Sequence, residues 1–491
     1  MKKNSLLILT VLVIASGGCA VGPNYQRPAV STPTKWSEPF AGGETNATVE
    51  LAAWWKNFHD AELDSLINRA VQSNLDLQIA QARVREARAQ YGIAVAKFLP
   101  TVDASGSYAR TETSHHQPVL GSIPIPSYVP FENDVYQAGF DASWEIDVFG
   151  GTRRAAQSAK AEVAASEFSR RDTLVTLLGE VARNYVDVRG YQRRIAIANE
   201  NIDAQTNALA ITQDRFAKGL TSELDVQQAT TLLATTKAEI PTLQTSLQAA
   251  IHRLGVLLGQ PPGALLAELS NIAPIPAALP EVPVGLPADL LLRRPDVQRA
   301  ERQLAAATAN IGVAKADLFP KFFLTGAAGF ESVSASDWFT SGSSFWSAGP
   351  TVQWRIFDAG RIRANIRVQN ARQEQALASY EQTVLNAFED VENGLVAYAN
   401  EQIRRRSLED AVTSSQTSLD LANKLYANGL TDFLHVLDAE RSLYQAQDAL
   451  VQSERTVSAN LVSLYKSLGG GWESLEQQPS PALAQIANPS R

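Results

Sequence analysis

One cysteine and one methionine stand in 491 residues. The methionine is Met1, so the chain has no thioether ladder for soft metals. The cysteine is Cys19, so no disulfide can form within the chain. Histidine is also scarce: His59, His115, His116, His252 and His435 are all there is. The adjacent pair His115–His116 falls in a loop and reads as solvated. No His-Glu metal helix, paired cysteine or Gly-rich phosphate loop occurs. Acidic residues are numerous but converge on no catalytic pattern, so the chain reads as a non-enzyme without metal site or cofactor. Neither charge sign dominates, with 51 acids against 43 Lys plus Arg. Without a basic patch, nucleic acid is not an expected partner. Long apolar runs are absent except near the N-terminus.

That N-terminal run follows Lys2 and Lys3, extends from Leu6 to Ala15, and is too short to span a bilayer. It reads as a signal peptide, residues 1–18. Ser16-Gly17-Gly18-Cys19 then resembles a bacterial lipobox, with Ser16 where Leu is usual. The resemblance implies a diacylglycerol and an N-acyl chain on Cys19. The alternative is ordinary cleavage near Ala15 or Gly18, leaving a free thiol. Ala20 follows Cys19 where an inner-membrane lipoprotein of enteric bacteria would carry Asp, which favours the outer membrane.

What the chain does have is duplication. Ala217–Ala229 and Ala427–Ala439 lie 210 residues apart and match at seven of thirteen positions. Gly219 and Gly429 suit the left-handed residue that ends a helix. Gly219-Leu220-Thr221 and Gly429-Leu430-Thr431 therefore read as tight turns between helices, and only the first has an acid near a capping-box position. Further upstream, Asp76/Asp296, Gly92/Gly312 and Pro100/Pro320 repeat at an offset of 220. The expected organisation is an extended arm at 19–60, a first repeat at 61–259, a Pro-rich linker at 260–295, a second repeat at 296–470 and a tail at 471–491.

After each repeated proline the period changes to two. Tyr136, Ala138, Phe140, Ala142, Trp144 and Ile146 alternate with Gln137, Gly139, Asp141, Ser143 and Glu145; Trp346, Ala348, Val352 and Trp354 alternate likewise. Each repeat thus predicts a β-hairpin, at about 101–148 and about 321–357. A soluble sheet with one wet face gives this pattern. Aromatics at strand ends (Tyr136, Trp346, Trp354, Phe357) and a polar opposite face favour a membrane barrel. Four strands cannot close a barrel, so copies must share one; two copies give eight strands and three give twelve.

Long helical patterns run from about Thr152 to Ala217 and from about Arg361 to Ala427, roughly 100 Å each if continuous. Gly179, Gly190 and Gly394 predict breaks near their middles. Return helices follow the turns. Their heptad lines are Val226, Leu233, Ile240, Leu247, Leu254 and Val436, Leu443, Leu450, Val457, Leu464. Such lines imply left-handed supercoiling. Pro241 predicts a kink or 3₁₀ turn. A thin apolar seam with wet flanks suits a hollow wall; a surface coiled coil is the alternative.

Cys19, Trp54-Trp55-Lys56-Asn57-Phe58, the segment Leu286 to Asp296 with Arg293-Arg294-Pro295-Asp296, and Leu468-Gly469-Gly470-Gly471-Trp472 together resemble the OprM/NodT branch of TolC-like outer-membrane efflux factors. The resemblance covers essentially the whole mature chain. It implies a membrane β-barrel joined to a long α-helical barrel, in a homotrimer sharing twelve strands, four per chain. It further implies an exit duct of a tripartite efflux system, carrying drugs or other small molecules delivered by an inner-membrane pump, usually of the RND class, through a periplasmic adaptor. In relatives a Leu ring and an Asp ring close the periplasmic end; the matching residues are Leu434 and Asp438, with Leu224 and Gln228 as first-copy equivalents. Plain helix packing is the alternative role of Leu434. His435 departs from the TolC branch, which carries an acid there, and its first-copy counterpart is Asp225. The competing functions are a type I protein-secretion duct and a structural coiled-coil lipoprotein without a pore.

Overall fold

The computed structural model describes residues 20–37, 44–45, 51–112, 132–277, 282–283 and 291–476. Cys19, His115 and His116 lie outside the described residues. By contacts the chain divides into two compact units. One comprises residues up to Pro28 with Arg85–Ala165 and Glu301–Ser379; the other comprises Ala29–Val84, Ser166–Ala300 and the residues from Tyr380.

The first repeat runs α1 (Ala61–Ser73), α2 (Leu75–Ala96), β1 (Thr101–Glu112), β2 (Glu132–Ile146), α3 (Gly151–Ala217) and α4 (Glu223–Leu257). The second runs α5 (Pro295–Ala316), β3 (Lys321–Ser332), β4 (Ser344–Gln353), α6 (Arg361–Ala427) and α7 (Phe433–Ser467). The two outgoing helices have 67 residues each and the two return helices 35 each.

Local chemistry sets the boundaries. Asp60 starts α1 by accepting hydrogen bonds from the N–H groups of Glu62 (2.9 Å) and Leu63 (3.1 Å). Asn74, extended at ψ 130°, separates α1 from α2. Its amide donates to the Leu257 carbonyl (2.9 Å) and its Oδ1 accepts from Leu77 N–H (2.9 Å), so one side chain starts α2 and ties it to α4.

The breaks expected at Gly179, Gly190 and Gly394 are not there: α3 and α6 are continuous helices. These glycines serve close packing. A Cβ on Gly394 would lie 3.2 Å from Leu464 Cδ1, and one on Gly190 would lie 2.8 Å from Arg455 Cδ. Removing the side chain lets the return helix approach. Pro241 also sits within a continuous α4, with no 3₁₀ turn, and the Thr245 hydroxyl donates to its carbonyl (2.9 Å).

In the unit that holds most of α3, α4, α6 and α7, one apolar core gathers Leu63, Leu66, Ile67, Leu178, Tyr185, Leu254, Leu464 and Tyr465. Trp54 stacks on Tyr465 with ring centroids 5.3 Å apart, and Asn57 Nδ2 donates to the Tyr465 hydroxyl (3.2 Å). The Trp-Trp-Lys-Asn-Phe motif therefore anchors the arm in the core. Arg294 makes two bonds to Asp296 and one each to Asp390 (2.9 Å) and the Ser467 carbonyl (3.1 Å). The Arg-Arg-Pro-Asp segment thus pins the start of α5 to α6 and to the end of α7.

In the other unit, β1 to β4 form one antiparallel sheet in chain order. Its register puts Ala104 opposite Phe140, Phe140 opposite Ala328, and Ala328 opposite Trp346.

Candidate functional site

The two turns share one backbone. Gly219 and Gly429 both have φ 72°, a conformation that costs glycine nothing and other residues much. Leu220 N–H reaches back to the Arg215 carbonyl and Gly219 N–H to Phe216, each at 2.9 Å. In the second copy Leu430 N–H reaches Leu425 (2.9 Å) and Gly429 N–H reaches Tyr426 (3.0 Å). This paired pattern is the Schellman motif, which satisfies carbonyls the helix leaves open.

Beyond the glycine the copies diverge. Ser222 caps α4, and Ser222 and Asp225 form a reciprocal capping box. The Asp225 carboxylate accepts from the Ser222 hydroxyl (3.0 Å), from Ser222 N–H (3.2 Å) and from the Thr221 hydroxyl. Burial pushes this carboxyl up, but the three donors outweigh it and hold it below its ordinary value. In the second copy Asp432 occupies the cap position with no side-chain cap bond, and residue 435 is His. There the His435 N–H donates to the Asp432 backbone carbonyl (3.2 Å) in place of a side-chain cap.

Leu434 and Asp438 lie one helical turn apart on α7, 48 % and about half exposed respectively. Asp438 is not a free acid. Arg441 Nη2 holds it at 2.9 Å, a pair of ordinary i,i+3 helix spacing that the sequence reading missed. Leu220, Leu224 and Leu430 are well exposed around the turns. Beneath them Phe433, Val436, Leu437 and Ala229 form a small apolar cluster. Tyr426 joins it against Phe433 (5.3 Å), with the Arg215 guanidinium 4.5 Å above the Tyr426 ring.

A second feature is the sheet. Phe140, Val102, Leu324, Val352 and Trp346 share one face and are all exposed. Asp103, Ser105, Gln137, Asp141, Thr325 and Thr351 share the other, interrupted by Phe323 and Phe345. Among the described residues the outer edges of β1 and β4 have no partner strand. At one end Tyr108, Tyr136, Trp338 and Phe339 contact in sequence at 4.9, 5.5 and 4.7 Å. At the other end, Trp144 Nε1 donates to the Phe98 carbonyl (2.8 Å) and Trp354 Nε1 to the Leu318 carbonyl (3.1 Å). The duplication thus extends to the indole anchors. No described helix is long and apolar enough to cross a membrane.

Comparison with known proteins fits this geometry. A sequence profile described as outer membrane efflux protein matches residues 66–260 and 286–470. The chain belongs to the outer membrane efflux protein family. The solvent efflux pump outer membrane protein SrpC of Pseudomonas putida is 34 % identical over 96 % of this chain and 99 % of its own. Nodulation protein T of Rhizobium leguminosarum bv. trifolii is 34 % identical over 93 % of this chain and 95 % of its own. The solved outer-membrane channel OprN superposes with a TM-score of 0.86 at 37 % identity, covering 92 % of this chain and all of that one. This efflux protein is therefore an outer-membrane channel, and the resemblance carried by motifs such as the Arg-Arg-Pro-Asp segment identified its family.

Proposed function

We propose that three copies of this efflux protein close a twelve-stranded barrel over a shared helical duct, and that the second turn of each copy gates its periplasmic end. The carrying observation is the four-stranded sheet, apolar and exposed on one face and, among the described residues, unpaired at both edges. Lipid tolerates neither open edges nor fewer strands than a closed barrel needs. Three sheets meeting edge to edge satisfy every strand, put Phe140 and Trp346 toward lipid, and put Asp103 and Asp141 toward water.

The gate reading rests on the unlike turns. The first is clamped by its capping box and presents Gly219, Leu220 and Thr221 as a firm docking surface for a periplasmic adaptor. The second, with Gly429, Leu430 and Thr431, lacks that clamp and is the element an adaptor and an RND-type inner-membrane pump would displace. Leu434 would form the steric constriction. Asp438 would form a charged ring one turn further in, tempered by Arg441. The duct is passive, and solute choice lies upstream.

The N-terminal anchor has its own support. Val21 N–H bonds to the Phe149 carbonyl (3.0 Å), and Arg154 grips the Val21 and Gly22 carbonyls. This fixes the arm next to the stacked pair Phe149–Phe319, at the end of the sheet where acyl chains on Cys19 would meet lipid. Mass spectrometry finding an unacylated mature N-terminus overturns that assignment.

Single-channel recording in planar bilayers tests the gate. Leu434→Ala and Asp438→Ala are expected to raise conductance and to sensitise cells to large antibiotics. Conductance equal to wild type in both refutes the assignment. Heat-resistant trimers in detergent are expected; a monomer with no pore activity refutes the shared barrel. Co-purification with a tagged adaptor separates the efflux assembly from a type I secretion duct.

A further inference from the structure

The packed face of α7 carries two apolar clusters. Ile197 and Ala198 of α3 meet Tyr444 and Val451 in one, and near the turn Phe433, Val436 and Leu437 pack with Ala229 of α4, Leu209 of α3 and Leu419 of α6. One layer breaks the pattern. Glu440 stands in the buried stripe of α7 between Leu437 and Leu443, and Gln205 stands in the buried stripe of α3.

The register of the two antiparallel helices brings these residues close in level. Asp187 pairs with Arg455, Arg194 with Asp448, and Asn201 with Gln447. Continued toward the turn, the same pairs bring Gln205 level with α7 to within about one helical turn of Glu440. Yet neither side chain is satisfied. Glu440 Oε2 and both Gln205 Oε1 and Nε2 are buried without a hydrogen-bond partner. Three buried polar atoms left without partners are costly. A proton on Glu440 removes the buried charge, the costliest part of that burial.

The charged groups of the surrounding stretches do not offer another remedy. Glu239 on α4 accepts from the Tyr444 hydroxyl, and Asp438 is held by Arg441. On α3, Arg194 is committed to Asp448 and Asp203 is exposed; Lys237 on α4, and Asp420 and Lys424 on α6, are exposed. His435 on α7 is likewise exposed. Burial alone pushes the Glu440 carboxyl up, from its ordinary 4.5 to about 7.

We propose that Glu440 is a proton-operated latch, neutral while the second hairpin is packed and ionised when that hairpin moves away into water. This rests on the gate reading and adds its regulation: acid in the periplasm closes the channel. The sign follows from linkage. The packed state holds one proton more per chain than the open state between pH 4.5 and 7. The latch is at full strength below 4.5 and is lost as pH rises through about 7. Within that window each pH unit changes the packed-to-open ratio about tenfold per chain.

Two measurements on the full-length channel separate the latch from the gate. Amide exchange at residues 202–212 and 433–444, corrected for intrinsic rates, reports packing. Wild-type protection is expected to fall about tenfold per pH unit toward neutrality, and Glu440→Gln, which cannot ionise, is expected to be flat. A flat wild type, or a Glu440→Gln variant that keeps the slope, overturns the latch. Open probability in bilayers is expected to rise from pH 5.5 to 7.5 in wild type and not in Glu440→Gln. An exchange slope without a conductance slope overturns the coupling to the gate. Failure of the Leu434 and Asp438 variants to alter conductance refutes the gate itself and leaves the exchange result standing.

Discussion

The unlike caps of the two turns offer a direct perturbation. Asp432 and His435 occupy the positions that Ser222 and Asp225 hold in the first copy. The double substitution Asp432→Ser/His435→Asp would give the second turn the same capping box, with Thr431 available to donate as Thr221 does. The backbone is ready for it, because Asp432 has φ −82° and ψ 155° against −91° and 159° at Ser222. A capping side chain is worth about 1 kcal/mol, with a range of roughly 0.5–2. One kcal/mol is about a fivefold change in local opening, since about 1.4 is tenfold. Amide exchange at Leu434 to Val436 should therefore slow about fivefold, and Ser222→Ala should speed exchange at the start of α4 by a similar factor. If opening frays the first turn of α7, open probability falls by the same factor. Exchange in the double variant that matches wild type would refute the view that the second turn is the weaker one for want of a cap.

Three further outcomes follow from packing and charge. Trp54→Ala should cost about 3–5 kcal/mol in chemical unfolding, because the ring is wholly buried and stacked on Tyr465. Gly394→Ala should gain up to about 1 kcal/mol of helix propensity but lose about 1–3 by overpacking Leu464, so a lowered melting temperature is expected, and a raised one would contradict the close-approach account. Asp296 should give a pH signature: burial pushes its carboxyl up, but Arg294 and the Val297 N–H hold it below its ordinary 3.8. Its contribution is complete above that value and disappears as pH falls through the lowered one, so Arg294→Met should be less stable at neutral pH and show a smaller loss on acidification below 3.8.

Much of this was legible because it repeats. Two glycines with one spacing to two heptad lines specify helix, left-handed turn and return helix twice over. The strands were legible where alternation was strict, as from Tyr136 to Ile146, and the register then brings their apolar residues to one face. Glycine within a helix was ambiguous. Gly179, Gly190 and Gly394 weaken propensity locally, yet what selects them is a neighbouring helix more than 60 residues away in sequence. Nothing in the local sequence marks Asn74, whose amide is used twice, because one of its partners, Leu257, lies far along the chain. At the turn, the positions of Leu434 and Asp438 were readable, but the Arg441 partner was visible at i+3 and overlooked. Glu440 was hidden by following a single line, Val436 to Leu443, when the buried stripe also includes Leu437 and Tyr444.

The equality of the duplicated helices has a consequence for how such a chain can change. Outgoing and return helices match at 67 and 35 residues in both copies. One inserted residue turns everything beyond it by about 100° around the helix axis. It would also shift one turn lengthwise against its twin. Length variation is therefore confined to the hairpin loops, the linker and the ends of the chain. The first hairpin loop is already the longer of the two, while no length difference has entered the long helices.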